Sequence, residues 1–275
     1  MKILCDTHVH TVNSFDGEST VLEMAEKAVE LGLSAIAVTD HMEAPEIRLG
    51  ADSQFGDMLR QIERSVREVE EISPRFEGKL KIYRGMELGE PTHQPKLTKK
   101  AMGIADFDFI LASIHNLKDE EDFYYLDYST QDIPRFLGRY FDELLDTAEN
   151  ADFDSLAHLT YPLRYIYERT DFRPDLDDYA EKIDAVLSAL AKREKALEIN
   201  TSGLFKTIGR TLPDINVIKR FRELGGKYVT IGSDAHRASD LAKGIEQGLK
   251  TARISGFEHF TIYENRRPKM IEIWY

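Results

Sequence analysis

The fold this sequence predicts is an α/β barrel of seven strand–helix units with a closing β-hairpin. Three observations predict it. Short apolar runs of strand length alternate with longer stretches of helical period along most of the chain, and that alternation gives a parallel sheet with helices packed on it. No Gly-rich dinucleotide fingerprint follows the first strand, which favours a closed barrel over a doubly wound sheet. Each apolar run also leads into a His, Glu, Asp or Asn, and barrels carry their active sites at the C-terminal ends of the strands. With 275 residues, 42% of them hydrophobic, a single barrel domain over residues 1–275 is expected.

The elements follow in order. Ile3-Leu4-Cys5 opens the first strand, which runs into Asp6-Thr7-His8-Val9-His10; alternation puts His8 and His10 on one face. Thr20-Val-Leu-Glu23 is a capping box, and the helix behind it carries Met24, Ala28 and Leu31 before Gly32 stops it. Ser34 to Thr39 is the second strand and ends in Asp40-His41. Met58, Ile62, Val66 and Val69 form the apolar stripe of a helix from about Phe55 to Ile72. Lys81 to Met86 is the third strand, ending at Glu87, and Pro91 to Lys100 is loop and helix start. Phe107 to Ile114 is the fourth strand, ending at His115, and an amphipathic helix spans Asp132 to Ala148. Phe153 to Ala157 is the fifth, ending at His158, with a loop carrying Pro162 and Arg164, then a helix over Leu176 to Leu190. Ala196 to Ile199 is the sixth, ending at Asn200; Pro213 opens the next helix and Gly225-Gly226 ends it. Tyr228 to Gly232 is the seventh, ending at Ser233-Asp234-Ala235-His236, and a last helix covers Leu241 to Ile254. Phe260 to Tyr263 and Met270 to Trp274 flank a polar turn and read as the hairpin.

Composition narrows the function classes. The formal charge is 36 − 49 = −13, which disfavours a nucleic-acid-binding surface. An anionic substrate stays open, because bound cations reverse the local field. The single cysteine, Cys5, lies in the first strand and is expected in the core; no internal disulfide can form, which fits a reducing compartment. The chain opens directly into Lys2-Ile3-Leu4-Cys5-Asp6 without a signal peptide's apolar region, and no apolar run approaches the ~18 residues of a membrane helix. A cytoplasmic protein without membrane partners is the expectation.

His8, His10, Asp16, His41, Glu87, His115, His158, Asp234 and His236 form the constellation that carries chemistry. Six of the eight histidines belong to it, and only His93 and His259 fall outside. So many histidines at predicted strand ends are not an accident of composition. Imidazole with carboxylate suits zinc, iron or manganese, and nine ligands are too many for one ion. Two to three divalent transition-metal ions are expected.

The motifs His8-Val-His10, Thr39-Asp40-His41, Gly85-Met-Glu87, Ser113-Ile-His115, Ala157-His158 and Gly232-Ser-Asp-Ala-His236 occur in this order along nearly the whole chain. Together they resemble the polymerase and histidinol phosphatase (PHP) superfamily. The resemblance implies a distorted seven-stranded (βα) barrel with a trinuclear metal centre. Carried over residue by residue, it gives the first metal His8, His10, Glu87 and Asp234. The second takes Glu87 as a bridge with His115 and His158, and the third takes Asp16, His41 and His236. In length, in the segment holding Arg164, in Asn200-Thr-Ser-Gly-Leu204 and in the hairpin, the chain is similar to the single-domain histidinol-phosphate phosphatases. That likeness implies hydrolysis of L-histidinol phosphate by attack of a metal-bridging hydroxide on phosphorus, with Glu87, Asp234 and Asp16 as the catalytic carboxylates.

A phosphate dianion needs a further clamp, and the planar fork of arginine suits it. Arg164, after the fifth strand, and Arg210, after the sixth, are the candidates; His93, in the loop after Glu87, is a third substrate-facing candidate. The expected partner is a small phosphorylated substrate, and a homo-oligomer is compatible with the sequence. Two rival readings differ at particular residues. An amidohydrolase-type barrel uses a strand-four lysine as its metal bridge, whereas here that strand ends in Ile114-His115 and Lys118 lies beyond it. A PHP nuclease, or a relative acting on another phosphoester, would want a basic surface interleaved with aromatic residues, which is absent.

Overall fold

In the computed structural model, residues 3–43 and 51–274 are described, with the side chains of residues 51–55 left aside. Seven parallel strands form the sheet in the order β1-β2-β4-β5-β6-β7-β8: β1 (Cys5–Val9), β2 (Ala35–Val38), β4 (Lys81–Gly89), β5 (Phe109–Ser113), β6 (Ser155–Leu156), β7 (Ala196–Asn200) and β8 (Val229–Gly232). A two-residue strand β3 (His41–Met42) continues the path of β2 after a break at Thr39-Asp40 and pairs with the far half of β4. The sheet closes where Val9 bridges Ala235 and the amides of Asp234 and His10 donate to the carbonyls of His8 and Ala235 at 2.9 and 2.8 Å. The seam is short, so the barrel is distorted rather than evenly hydrogen-bonded around its circumference.

The helices lie between the strands. Thr20 caps α1 (Val21–Glu30): its hydroxyl accepts from the amide of Glu23, whose carboxylate in turn accepts from the Thr20 amide, the full reciprocal box. The long α2 (Ala51–Ile72) buries Ile62, Val66 and Val69, three of the four stripe positions predicted for it. α3 (Pro95–Met102) and α4 (Ile133–Asn150, capped by Asp132) follow as expected. Four helix boundaries differ from the sequence reading. The segment with Arg164 is a short helix, α5 (Leu163–Arg169), rather than a loop. The helix after Asp175 begins as a 3-10 turn before α6 (Ala180–Lys192). Asp214, not Pro213, starts α7 (Ile215–Glu223), because its carboxylate accepts from the amides of Asn216 and Val217, donors that a helix start leaves unpaired. α8 (Ile245–Ile254) starts late for a similar reason: Gly244 holds a φ of 85°, outside the helical region.

Strands buried on both faces explain why the apolar runs are continuous rather than alternating. Leu111, Leu156, Leu197, Ile199 and Val229 are fully buried, and Phe109, Phe141, Phe153 and Tyr140 fill the space between sheet and helices. Cys5 is buried, and burial pushes its thiol up to about 12, so it is an inert core residue. The hairpin of β9 (His259–Glu264) and β10 (Arg267–Glu272) lies at the N-terminal ends of β5 and β6. No described helix is long and apolar enough to cross a membrane.

Candidate metal centre

The chain brings its histidines together by where its strands end. β1 carries a bulge: three steps from Asp6 to Val9 match two steps from Ile36 to Val38 on β2. A bulge re-aims the side chains beside it. His8 and His10 then point the same way, with ring centroids 4.9 Å apart and their Nε2 atoms at 2.9 Å. Gly232 permits this approach: a Cβ there would sit 2.3 Å from the His8 Cβ and 2.4 Å from a Glu198 carboxylate oxygen. Two residues on, Asp234 holds a φ of 58°, a left-handed conformation uncommon for a non-glycine residue. The turn keeps its Oδ1 3.4 Å from His10 Nε2 and 3.7 Å from His8 Nε2.

Glu87 stands at the centre of the cluster. Its Oε2 lies 3.1, 3.3 and 3.2 Å from nitrogens of His8, His10 and His41, and its Oε1 lies 3.2 and 3.0 Å from Nε2 of His115 and His158. Five imidazoles thus face one fully buried carboxylate. A carboxylate offers about four acceptor sites, and neighbouring imidazoles would have to donate past one another. Protons alone satisfy such an arrangement poorly, whereas divalent ions between nitrogen and oxygen satisfy it directly. The residues therefore fit metal.

Of four groupings within ligand reach, three match the expected sites: His8, His10 and Glu87; Glu87, His115 and His158; and His10, His41 and His236; the fourth, His41, Glu43 and His115, brings in a carboxylate that the sequence did not single out. Asp16 approaches the third from the solvent side, its Oδ2 3.0 Å from His236 and 3.7 Å from His41. Charge follows proximity. Burial opposes a positive His8, His41 and His115, but the carboxylates of Glu198, Glu87 and Glu43 outweigh it and raise all three. Burial lowers His10, and the neighbouring His236 and His41 lower it further. For Glu87 the opposing pulls resolve the other way: burial would raise it, and the surrounding histidines hold it well below the usual carboxylate range.

Further carboxylates contact the histidines, and sequence reasoning missed them. Glu198, in the middle of β7, accepts from His8 Nδ1 at 2.7 Å and, with its other oxygen, from the His158 amide at 2.9 Å. Glu43 lies 2.8 Å from His41 Nδ1 and 3.1 Å from His115 Nδ1. There is room for it only because Gly89 lacks a Cβ, which would come within 1.8 Å of its carboxylate. Asp40 accepts from the Thr11 amide and from the hydroxyls of Thr11 and Ser14, tying down the loop that carries Asp16. Such outer partners fix the orientation of metal-ligating imidazoles.

The cluster forms the floor of a cavity of about 600 Å³. Arg164 lines it: its guanidinium lies over the rings of Tyr161 and Tyr165 at 4.6 and 4.8 Å and reaches within 3.7 Å of Asp234 Oδ2. The other two substrate-facing candidates are elsewhere. Arg210 donates to the Tyr167 hydroxyl at 2.5 Å and pairs with Asp214 at 3.2 Å, and His93 pairs with Glu143 at 2.7 Å; neither lines the cavity. Both lie in loops after barrel strands, but nearby partners turn them aside. Lys206, Arg237 and Lys243 are cavity-lining cations that the sequence did not single out.

Comparison with known proteins yields one family and a consistent set of relatives. The PHP domain model matches residues 6–202. A probable histidinol-phosphatase of Thermotoga maritima is 31% identical over 94% of this chain and 95% of its own length. A histidinol-phosphatase of Lactococcus lactis is 28% identical over 95% of both chains. A crystal structure of histidinol phosphate phosphatase from Lactococcus lactis, in complex with zinc, L-histidinol and phosphate, has a TM-score of 0.77 at 24% identity, covering 97% of this chain and 98% of that one; at this identity the likeness is one of fold.

Proposed function

This chain belongs to the PHP domain family, and from that premise we propose that it is a metal-dependent phosphomonoesterase whose substrate is L-histidinol phosphate. The observation that carries the proposal is the five imidazoles arranged around the single carboxylate of Glu87. Two to three divalent ions, of zinc, iron or manganese, would be held by His8, His10, Glu87 and Asp234, by Glu87, His115 and His158, and by Asp16, His41 and His236. Bound there, they supply Lewis-acid charge against phosphoryl oxygens and make water acidic enough to react near neutral pH.

The chain's own residues do the rest. Glu87, central and buried, spans the first two sets of histidines and keeps them at one spacing. Asp234, held by its left-handed turn, lies between His10 and the guanidinium of Arg164, where it can orient an attacking water. Arg164 presents a fixed, aromatic-backed cation to the ester's phosphate, an orientation that costs little on binding because the two tyrosine rings already define it. Glu198 and Glu43 keep the imidazoles facing inward. The tyrosine wall excludes water from one side of the cavity, where charge interactions are then stronger.

The deciding experiment measures kcat/KM on a panel of phosphomonoesters with metal content quantified in the same preparation. Release of phosphate from L-histidinol phosphate, lost on chelation and restored by a divalent ion, is the expected result. No turnover of any phosphomonoester by protein carrying metal would reject the proposal.

A further inference from the structure

Six carboxylates line the cavity: Asp16, Glu18, Glu87, Asp122, Asp234 and Asp240. Five have a cationic or imidazole partner. Asp16, Glu87 and Asp234 belong to the histidine cluster. Glu18 pairs with Arg237 at 2.9 Å, and Asp240 lies 3.4 Å from both Arg237 and Lys243. Asp122 differs. Among the described residues it has no ion pair, and its carboxylate takes one hydrogen bond, from the backbone amide of Tyr124 at 2.6 Å. That amide takes part of Oδ1, and His115 and His41 act on the carboxylate only from beyond ion-pair distance. Ion-paired carboxylates are the rule on this wall, so an unpaired one that is itself partly buried is the exception to explain.

Its place in the fold supplies the explanation. Asp122 lies in the loop after β5, where the Asn116–Asp122 bridge and the bond from the Phe123 amide to the His115 carbonyl tie it to the end of the strand that carries His115. The adjoining wall is aromatic: Tyr161 and Tyr165 share a hydrogen bond between their hydroxyls at 2.8 Å, and Tyr124 and Tyr125 stand at the rim, 56% and 71% exposed, with rings edge-to-face at 5.1 Å. Exposed aromatic rings beside an unpaired carboxylate make a surface that favours a flat or cationic organic group over inorganic phosphate.

Resting on the phosphomonoesterase reading above, we propose that Asp122 and the tyrosines beside it form the leaving-group subsite, and that Asp122 selects esters whose alcohol carries a protonated amine. The metal floor and Arg164 take the phosphate from any such ester. Asp122 then sets which alcohol is accepted, so it is a specificity residue rather than a catalytic one.

The test compares wild type with Asp122→Asn on two cationic esters, L-histidinol phosphate and phosphoethanolamine, and two uncharged-alcohol esters, p-nitrophenyl phosphate and glycerol 2-phosphate. Asn keeps Oδ1 for the Tyr124 amide and removes only the charge. The expected result is a fall of about ten- to a hundredfold in kcat/KM for the cationic esters, the size of one charged contact, with the neutral esters unchanged. Inhibition by L-histidinol should weaken in parallel while inhibition by inorganic phosphate stays as in wild type. Equal losses on all four esters, or no loss on the cationic pair, overturn the proposal. So does a wild-type enzyme that hydrolyses phosphomonoesters without preferring the cationic pair; only an enzyme inactive on all four rejects the phosphatase reading itself.

Discussion

At the N-terminal ends of the strands, Asp108 and Asp154 are buried and each meets its donors within the protein. Asp108 accepts from the amide and Nε of Arg84 at 3.1 and 3.2 Å and from the Asn265 amide at 3.1 Å; Asp154 accepts from the Ile110 amide at 2.9 Å and from Arg266 Nε at 2.7 Å. At the C-terminal ends, Glu87 and Asp234 are equally buried and face imidazoles that cannot all donate to them. Both ends use carboxylates next to nitrogen. Arginine closes the first set because it is always protonated and its fork matches a carboxylate. Histidine leaves the second set open to metal, because a neutral imidazole offers a lone pair. A buried polar cluster complete without a ligand is structural; one that needs a ligand to be complete is a site.

The comparison breaks most sharply at Glu87. Glu87→Gln removes the charge that five imidazoles share. Activity should fall by about three orders of magnitude or more, since several kcal/mol of transition-state charge stabilisation goes with the metals. Elemental analysis should show less than the wild-type metal content, with an unchanged circular dichroism spectrum. His115→Ala should act in the same direction by removing one ligand from the second set, again with the barrel folded. Near wild-type turnover in either variant would falsify the assignment of that residue to a metal.

Smaller effects sharpen the division within the open end. Arg164→Met removes the proposed phosphate contact, which is not a metal ligand; kcat/KM should drop by about ten- to a hundredfold on every phosphomonoester while metal content is unchanged. Glu198→Gln does the opposite. It weakens the partner of His8 Nδ1 and should loosen metal binding by about ten- to a hundredfold, visible as a higher metal concentration for half-maximal activity and largely rescued by excess ion. If Glu198→Gln lost activity without a change in metal requirement, its role would be structural.

The cluster was legible in the sequence because each of its strands is an apolar run that stops at a polar residue, and that contrast survives without coordinates. The further carboxylates were harder to see. Glu198 left a signal, a lone charge inside Ala196-Leu-Glu-Ile199, a strand that is otherwise apolar on both faces. Glu43 left a weaker one, spaced two from His41 and so on the same side of a strand. Asp122 left none: an unpaired carboxylate is defined by what is missing around it, which is a property of the folded wall. Arg210 and His93 show the converse. Both stand after barrel strands, yet Tyr167, Asp214 and Glu143 turn their side chains elsewhere. The bulge in the β1–β2 pairing that aims His8 was also beyond reach, because it comes from pairing register and not from local composition.

The smallest expected change on activity, and the clearest on stability, comes from the closed end. Arg266 anchors the hairpin through Asp154 Oδ2 at 2.7 Å and Asp152 at 2.9 Å, and the Tyr263 hydroxyl adds a bond to the Asp154 carbonyl at 3.2 Å. The Asp154 side chain is only 5% exposed, so Arg266→Met leaves a buried carboxylate with the Ile110 amide as its remaining close donor. The loss should be about 1–3 kcal/mol of folding stability, the range for an unsatisfied buried group, with kcat/KM unchanged because the active cavity is at the other end of the strands. The pH dependence has a definite sign. Burial already raises Asp154 above the ordinary carboxylate value, and Arg266 pulls it back down. Without Arg266 the folded-state carboxyl rises further and takes up its proton before the unfolded chain does. Protonated Asp154 no longer needs a cation, so the deficit in the variant should be largest near neutral pH and narrow as pH falls through the raised value. Denaturant melts of both proteins from pH 7 to pH 4 read this directly. A deficit that stays constant over that range would mean that Arg266 acts through its packing against the hairpin and not through its charge.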